Sequence, residues 1–157
     1  MRAITRRAAG AAALAVLMPM MRSAAAQTTN LVATPDKPAT VLVPASRAPN
    51  AVLLDLYVRG YAPPRRGSVE AVVSLGPTGS EMEIARFAVF PSEPFFAASP
   101  TEQRAYRFDA SAALAAFPGR PLVVQVRLVP TDEKISPEGA SLTLSRVETS
   151  PRPASNN

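Results

Sequence analysis

The 157-residue chain contains no cysteine, no histidine and no tryptophan. Without cysteine or histidine there is no disulfide framework, no Cys/His zinc site and no imidazole ligand for copper or haem. There is also no Ser-His-Asp or Cys-His nucleophile. Charged residues are sparse as well, at 18%, and the carboxylates, tyrosines and basic side chains that remain form no arrangement that looks catalytic. The pairs Glu81/Glu83 and Asp132/Glu133 lack the spacing of an EF-hand. The expectation is a protein that is not an enzyme and holds no cofactor and no metal. Long apolar runs are also scarce: residues 8–21 form one of fourteen residues, short of the roughly 20 a membrane-spanning helix requires. No stable membrane anchor is expected from it.

The formal net charge of +5 is unevenly placed, because residues 1–26 hold Arg2, Arg6, Arg7 and Arg22 and no acid. The remaining residues carry 13 basic against 12 acidic side chains, about +1. The high isoelectric point therefore belongs to the first segment, and a nucleic-acid partner is not expected. That segment has a basic start ending in Arg6-Arg7, the Ala-rich apolar run, and then Arg22-Ser23-Ala24-Ala25-Ala26. It reads as a signal peptide. The arginine pair before a mildly apolar run is similar to a twin-arginine export signal, and Ala24 and Ala26 satisfy the small-residue cleavage preference. This predicts a periplasmic or secreted protein of 131 residues beginning at Gln27 and exported by the twin-arginine route. No lipid anchor is expected, since no cysteine follows the run.

After this segment, residues 27–39 read as a leader whose first residues are polar and loose, and residues 150–157 as a disordered Pro/Ser/Asn tail. Between them, short apolar runs alternate with Pro and Gly clusters every eight to fifteen residues, a spacing that predicts an all-β domain over 40–149. The expected fold is an antiparallel β-sandwich or jelly-roll-like barrel of about seven strands with one short helix. The strands are expected at 40–43, 52–59, 68–75, 81–90, 103–108, 122–129 and 140–148. Within 122–129, Leu122, Val124, Val126 and Leu128 share one face and Gln125 and Arg127 the other, as in a half-buried antiparallel strand. The helix is expected over 109–117, opened by Asp109 as N-cap, stopped by Pro118-Gly119, and facing the sheet through Leu114 and Phe117.

Four segments in order resemble a known module. Leu53-Leu54-Asp55-Leu56-Tyr57-Val58 is similar to the strand that names the C-terminal Lys-Phe-Asp-Val domain of polyphenol oxidases, and Ala85-Arg86-Phe87-Ala88-Val89-Phe90-Pro91 to its middle Phe-containing strand. The helix followed by Leu122-Val123-Val124-Gln125-Val126-Arg127-Leu128-Val129-Pro130 resembles its helix and Val-rich strand, and 140–148 its closing strand. The resemblance covers residues 50–149. In that family the domain is a β-sandwich shielding a dicopper site. Here Leu53-Leu54 replaces the family's Lys-Phe and no histidine-bearing copper domain is attached. The resemblance thus implies a non-catalytic accessory or active-site-shielding subunit for a tyrosinase-like copper oxidase encoded separately.

Candidate partner-binding residues follow from loop chemistry. In Pro94-Phe95-Phe96 two adjacent rings cannot both point inward from an extended backbone, so one is a candidate plug for a partner's active-site mouth. Arg65 and Arg66, in the Pro63–Gly67 turn, are candidates for an acidic partner patch. Asp55 falls on the strand face of Leu53 and Tyr57, opposite Leu54, Leu56 and Val58, where it anchors a loop, meets a partner's arginine, or is a solvent-facing or salt-bridged residue on a partly exposed face. Two other readings compete. One is a stand-alone periplasmic ligand- or glycan-binding sandwich, although sugar platforms usually carry tryptophan. The other is a cofactorless enzyme, which would need two cooperating carboxylates at hydrolase-like separation.

Overall fold

The computed structural model describes residues 28–43, 52–89 and 93–151. The expected alternation becomes two antiparallel five-stranded sheets packed face to face. The elements are β1 (Thr28–Asn30), β2 (Val32–Ala33), β3 (Ala39–Val43), β4 (Val52–Ala62), β5 (Val69–Gly76), β6 (Met82–Ala88), β7 (Phe95–Phe96), β8 (Arg104–Asp109), β9 (Leu122–Pro130) and β10 (Ser141–Pro151). A single 3-10 turn, Pro100–Glu102, and one helix, α1 (Ser111–Ala116), complete the described residues. The first sheet runs β1-β3-β9-β5-β6. The second runs β2-β10-β4, with β7 and β8 sharing the far edge of β4.

Period-2 alternation places the core. Leu122, Val124, Val126 and Leu128 of β9 are all buried, as are Leu54, Leu56 and Val58 of β4, and the two rows meet between the sheets. Each fully buried Leu or Val contributes roughly 1.5–3 kcal/mol of apolar transfer. On one side the sheets are closed by aromatic rings: Phe87 of β6 lies 4.2 Å from Tyr106 and 5.5 Å from Phe108, both on β8. At one end α1 packs on β4 and β5, one strand from each sheet, and Leu114, Phe117 and buried Ala113 press against the core.

Three expectations are corrected. The segment expected to be a loose leader takes part in both sheets. β1 pairs with β3 in the first sheet, Leu31 carries the chain across, and β2 pairs with β10 in the second. The backbone N–H of Leu144 donates to Leu31 O at 2.8 Å, fixing that crossing. At the other end β10 continues to Pro151, pairing with β4 as far as Val52, so pairing extends past residue 148. The helix cap lies one residue later than expected: Ala110 is the N-cap and offers no side-chain acceptor. The Asp109 carboxylate instead receives the Ser111 N–H at 2.9 Å, a local turn bond that precedes the helix.

Candidate functional site

The outward face of the second sheet is organised by β4. Because side chains alternate, Asp55 and Tyr57 point away from the core while Leu54, Leu56 and Val58 point into it. Two opposed bulges then reset the alternation. Val58 pairs with Leu144 and Gly60 with Thr143, leaving Arg59 unpaired, while Tyr57 pairs with Arg146, leaving Ser145 unpaired. A bulge shifts every later side chain to the other face. Tyr61 is consequently buried, and Gly60 faces outward although a regular strand would turn its side inward. On β10 the same reset takes the inward series from Leu142 and Leu144 to Val147.

The register then builds one row across four strands: Val32 opposite Thr143, Thr143 opposite Gly60, Gly60 opposite Phe96. Val32 is 39% exposed and Phe96 is 64% exposed, a large ring left in solvent. Gly60 makes room for that ring, because a Cβ there would stand 3.3 Å from Phe96 Cδ2 and 3.4 Å from Phe95 O. The Arg59 guanidinium lies over the Phe96 ring at 4.6 Å from its centroid.

The next rows hold polar pairs. The Arg146 guanidinium lies 3.8 Å from the Tyr57 ring centroid, and its Nε is 3.2 Å from Glu148 Oε1. Beyond it Asp55, only 4% exposed, receives a bidentate pair of hydrogen bonds from Arg107 of β8, Nη2 to Oδ2 at 3.2 Å and Nε to Oδ1. Ser150 Oγ donates to the same carboxylate at 3.0 Å. Together the Arg107 hydrogen bonds, the Ser150 hydroxyl and the Arg107 charge hold the Asp55 carboxyl below its ordinary range, against the burial that would raise it. This carboxylate is therefore spent within the chain, tying β4 to β8 and β10.

The two rings of β7 divide as adjacent residues on a strand must. Phe95, opposite Tyr61, packs against the core and is covered by the Arg104 guanidinium at 3.6 Å. Phe96 takes the outer side. Pro94 before them is exposed. Arg65 and Arg66 are exposed in the turn that follows β4, at the end of that strand where Phe96 pairs; Arg65 meets Glu138 at 3.5 Å through its side chain, and its N–H donates to Glu138 O at 3.0 Å. Arg6, Arg7, Ala24 and Ala26 lie outside the described residues, as do Pro91 and Ser92. Sequence reasoning missed Val32, Arg59 and Arg146 at this face. Their neighbours Thr143, Phe96 and Tyr57 are 111, 37 and 89 positions away in the chain, so no local spacing announces them.

Among the described residues no cluster of three or more acidic side chains is arranged to hold a metal ion, and no helix is long and apolar enough to cross a membrane. No family model matches the chain, and no curated protein or solved structure matches it.

Proposed function

We propose that the chain is a non-catalytic accessory subunit that is exported and shields the active site of a separately encoded tyrosinase-like copper oxidase. The carrying observation is the exposed Phe96 ring, aligned with Val32 on one sheet face and bordered by Arg59. Aromatic and arginine side chains are the usual anchors of protein interfaces. The ring sits two residues after a proline on a strand paired to β4, so little conformational freedom is lost when it enters a pocket. The absence of histidine and cysteine supports the non-catalytic part, since the oxidase would carry the metal ligands. The order of strands similar to the polyphenol oxidase domain supports the partner class.

The competing reading, a stand-alone glycan-binding sandwich, has less support. Tyr57 stands on the same outward face, but its own face is covered by Arg146 and is closed to a sugar ring. Export is proposed to run through Arg6-Arg7 with cleavage after Ala26.

The test is co-expression of the full chain with a tyrosinase-like oxidase from the same genome. The expected result is co-elution as a stable complex with diphenol oxidation suppressed, and recovery of activity when the complex carries Phe96→Ala. Separate elution together with undiminished oxidase activity would overturn the reading.

A further inference from the structure

Three arginines stand on the outward face of the second sheet, and two have a carboxylate of their own chain. Arg107 is bound in bidentate fashion by Asp55, and Arg146 is stacked on Tyr57 with Nε turned to Glu148. Arg59 repeats the ring-stacked arrangement of Arg146, lying over Phe96. Among the described residues, however, no carboxylate pairs with it. It is the bulged residue of β4 and is exposed, beside the row Val32-Thr143-Gly60-Phe96.

A guanidinium stacked on a ring uses its face there and keeps its N–H donors in the plane, pointing away from the contact. Those donors match the two oxygens of a carboxylate. Stacking also holds the side chain in place, so less freedom is lost when the carboxylate arrives. The Arg146 site shows the completed form of this arrangement: ring, guanidinium and carboxylate. The Arg59 site has the first two parts and sits next to the most exposed large apolar side chain of the described residues.

We infer that Arg59 is the receptor for an Asp or Glu side chain on the surface of a protein partner, with a neighbouring apolar group of that partner covering Phe96. The inference rests on the reading of this row as a docking face and adds the chemistry of what docks there. It predicts an interface that combines one charge-assisted contact with one aromatic contact, so that binding weakens with added salt without vanishing.

The test has two arms. In the first, the Nε–Hε signals of the nitrogen-15-labelled protein are followed during titration with acetyl-Leu-Glu-Leu-amide and, separately, acetyl-Leu-Gln-Leu-amide. The Glu peptide should move the Arg59 signal several-fold more than that of Arg127, an exposed arginine on the other sheet. The response should shrink on roughly tenfold more salt, where the screening length falls about threefold. Equal responses to the two peptides, or an Arg59 response no larger than that of Arg127, would overturn the inference. In the second arm, binding to the copper oxidase is measured for Arg59→Gln, Arg59→Lys and Arg127→Gln. The dissociation constant should rise about tenfold or more for Arg59→Gln, partly recover for Arg59→Lys, and stay unchanged for Arg127→Gln. A complex that ignores Arg59→Gln keeps the oxidase reading and removes the carboxylate inference. A Glu-specific response at Arg59 without any oxidase complex does the reverse.

Discussion

The two outward faces of the sandwich are built from the same alternating pattern and end up chemically different. On the first sheet, Arg86 of β6 donates to Glu83 at 3.3 Å and to Glu70 of β5 at 3.4 Å, and these carboxylates hold its guanidinium firmly charged. Val72, on the same outward side of β5, is buried. Around Arg86 charge is matched by charge across neighbouring strands, while exposed Leu42 of β3 lies opposite Val123 of β9 on the same outward face. The second sheet adds arginines lying on rings, Arg146 on Tyr57 and Arg59 on Phe96, to its Asp55–Arg107 and Arg146–Glu148 charge pairs, and one end of the face keeps the row of Val32, Thr143, Gly60 and Phe96 with that last ring open to water. Single exposed apolar side chains are common and require no explanation. The alignment of Val32 and Phe96 in one register row, with a glycine making space between them and an arginine stacked at the rim, is what separates this face from the other.

The contrast is broken most severely by damaging the inward side shared by both faces. Leu56 is fully buried in β4, directly behind the Asp55–Tyr57 stretch. Leu56→Ala should lower folding stability by about 3 kcal/mol, within the range for a buried Leu that leaves a cavity. Urea unfolding would show this as a lower midpoint with an unchanged slope. A cost under about 1 kcal/mol would mean that the two sheets do not enclose a common core around this strand.

A smaller effect separates the buried carboxylate from the surface pairs. Asp55→Asn removes a charge-assisted pair of hydrogen bonds and should cost about 1.5 kcal/mol. The low end of the range applies because the Arg107 side chain is 60% exposed and rehydrates when released. The pH dependence has a definite sign. The folded-state pKa of Asp55 is held below its unfolded value of 3.8, so its stabilising contribution is complete above that value. It disappears as pH falls through the depressed folded value. The stability gap between wild type and Asp55→Asn should thus be full at neutral pH and shrink under strong acid. An equal gap at both would show that the pair is not the source. Disrupting Arg65–Glu138, exposed on both sides, should leave unfolding nearly unchanged by comparison.

Which parts of this were legible in the chain follows from the range over which each signal acts. Leu122, Val124, Val126 and Leu128 announce their strand because Gln125 and Arg127 alternate with Val124, Val126 and Leu128 inside an apolar, β-branched run. The division of Phe95 and Phe96 is legible because adjacent residues on any extended segment take opposite sides. β1 and β2 were hidden, because strands of three and two residues carry too little pattern, and Thr28-Thr29-Asn30 carries none of the usual apolar signature. The bulges at Arg59 and Ser145 were hidden for a different reason. They are properties of a pair of strands, and simple alternation assigns Tyr61 to the side of Tyr57 when it belongs in the core. The candidate face was half legible on the same grounds. Phe96 was marked by its proline and its neighbour, whereas Arg59, Arg146 and Val32 reach it only through cross-strand register.

The finest division is between the two rings of β7, and it can be tested with paired truncations. Phe95 packs against the core beneath Arg104, so Phe95→Ala should lower stability by about 1–2 kcal/mol, less than the cost of a fully buried ring because its burial is partial. Phe96→Ala removes a ring that is 64% exposed and should lower stability by less than about 1 kcal/mol. The only intramolecular contact of note it gives up is the stack with Arg59, and exposed cation–π pairs are worth about 0.5–1 kcal/mol at most. The observable that Phe96→Ala should move is binding: truncating an aromatic anchor that fills a partner pocket weakens a complex by more than about 1–2 kcal/mol. Thermal unfolding and oxidase binding of the two variants, measured side by side, would therefore order them oppositely, Phe95→Ala the less stable and Phe96→Ala the weaker binder. A drop in melting temperature for Phe96→Ala as large as for Phe95→Ala would make Phe96 a structural ring and remove the ground for placing a partner on this face.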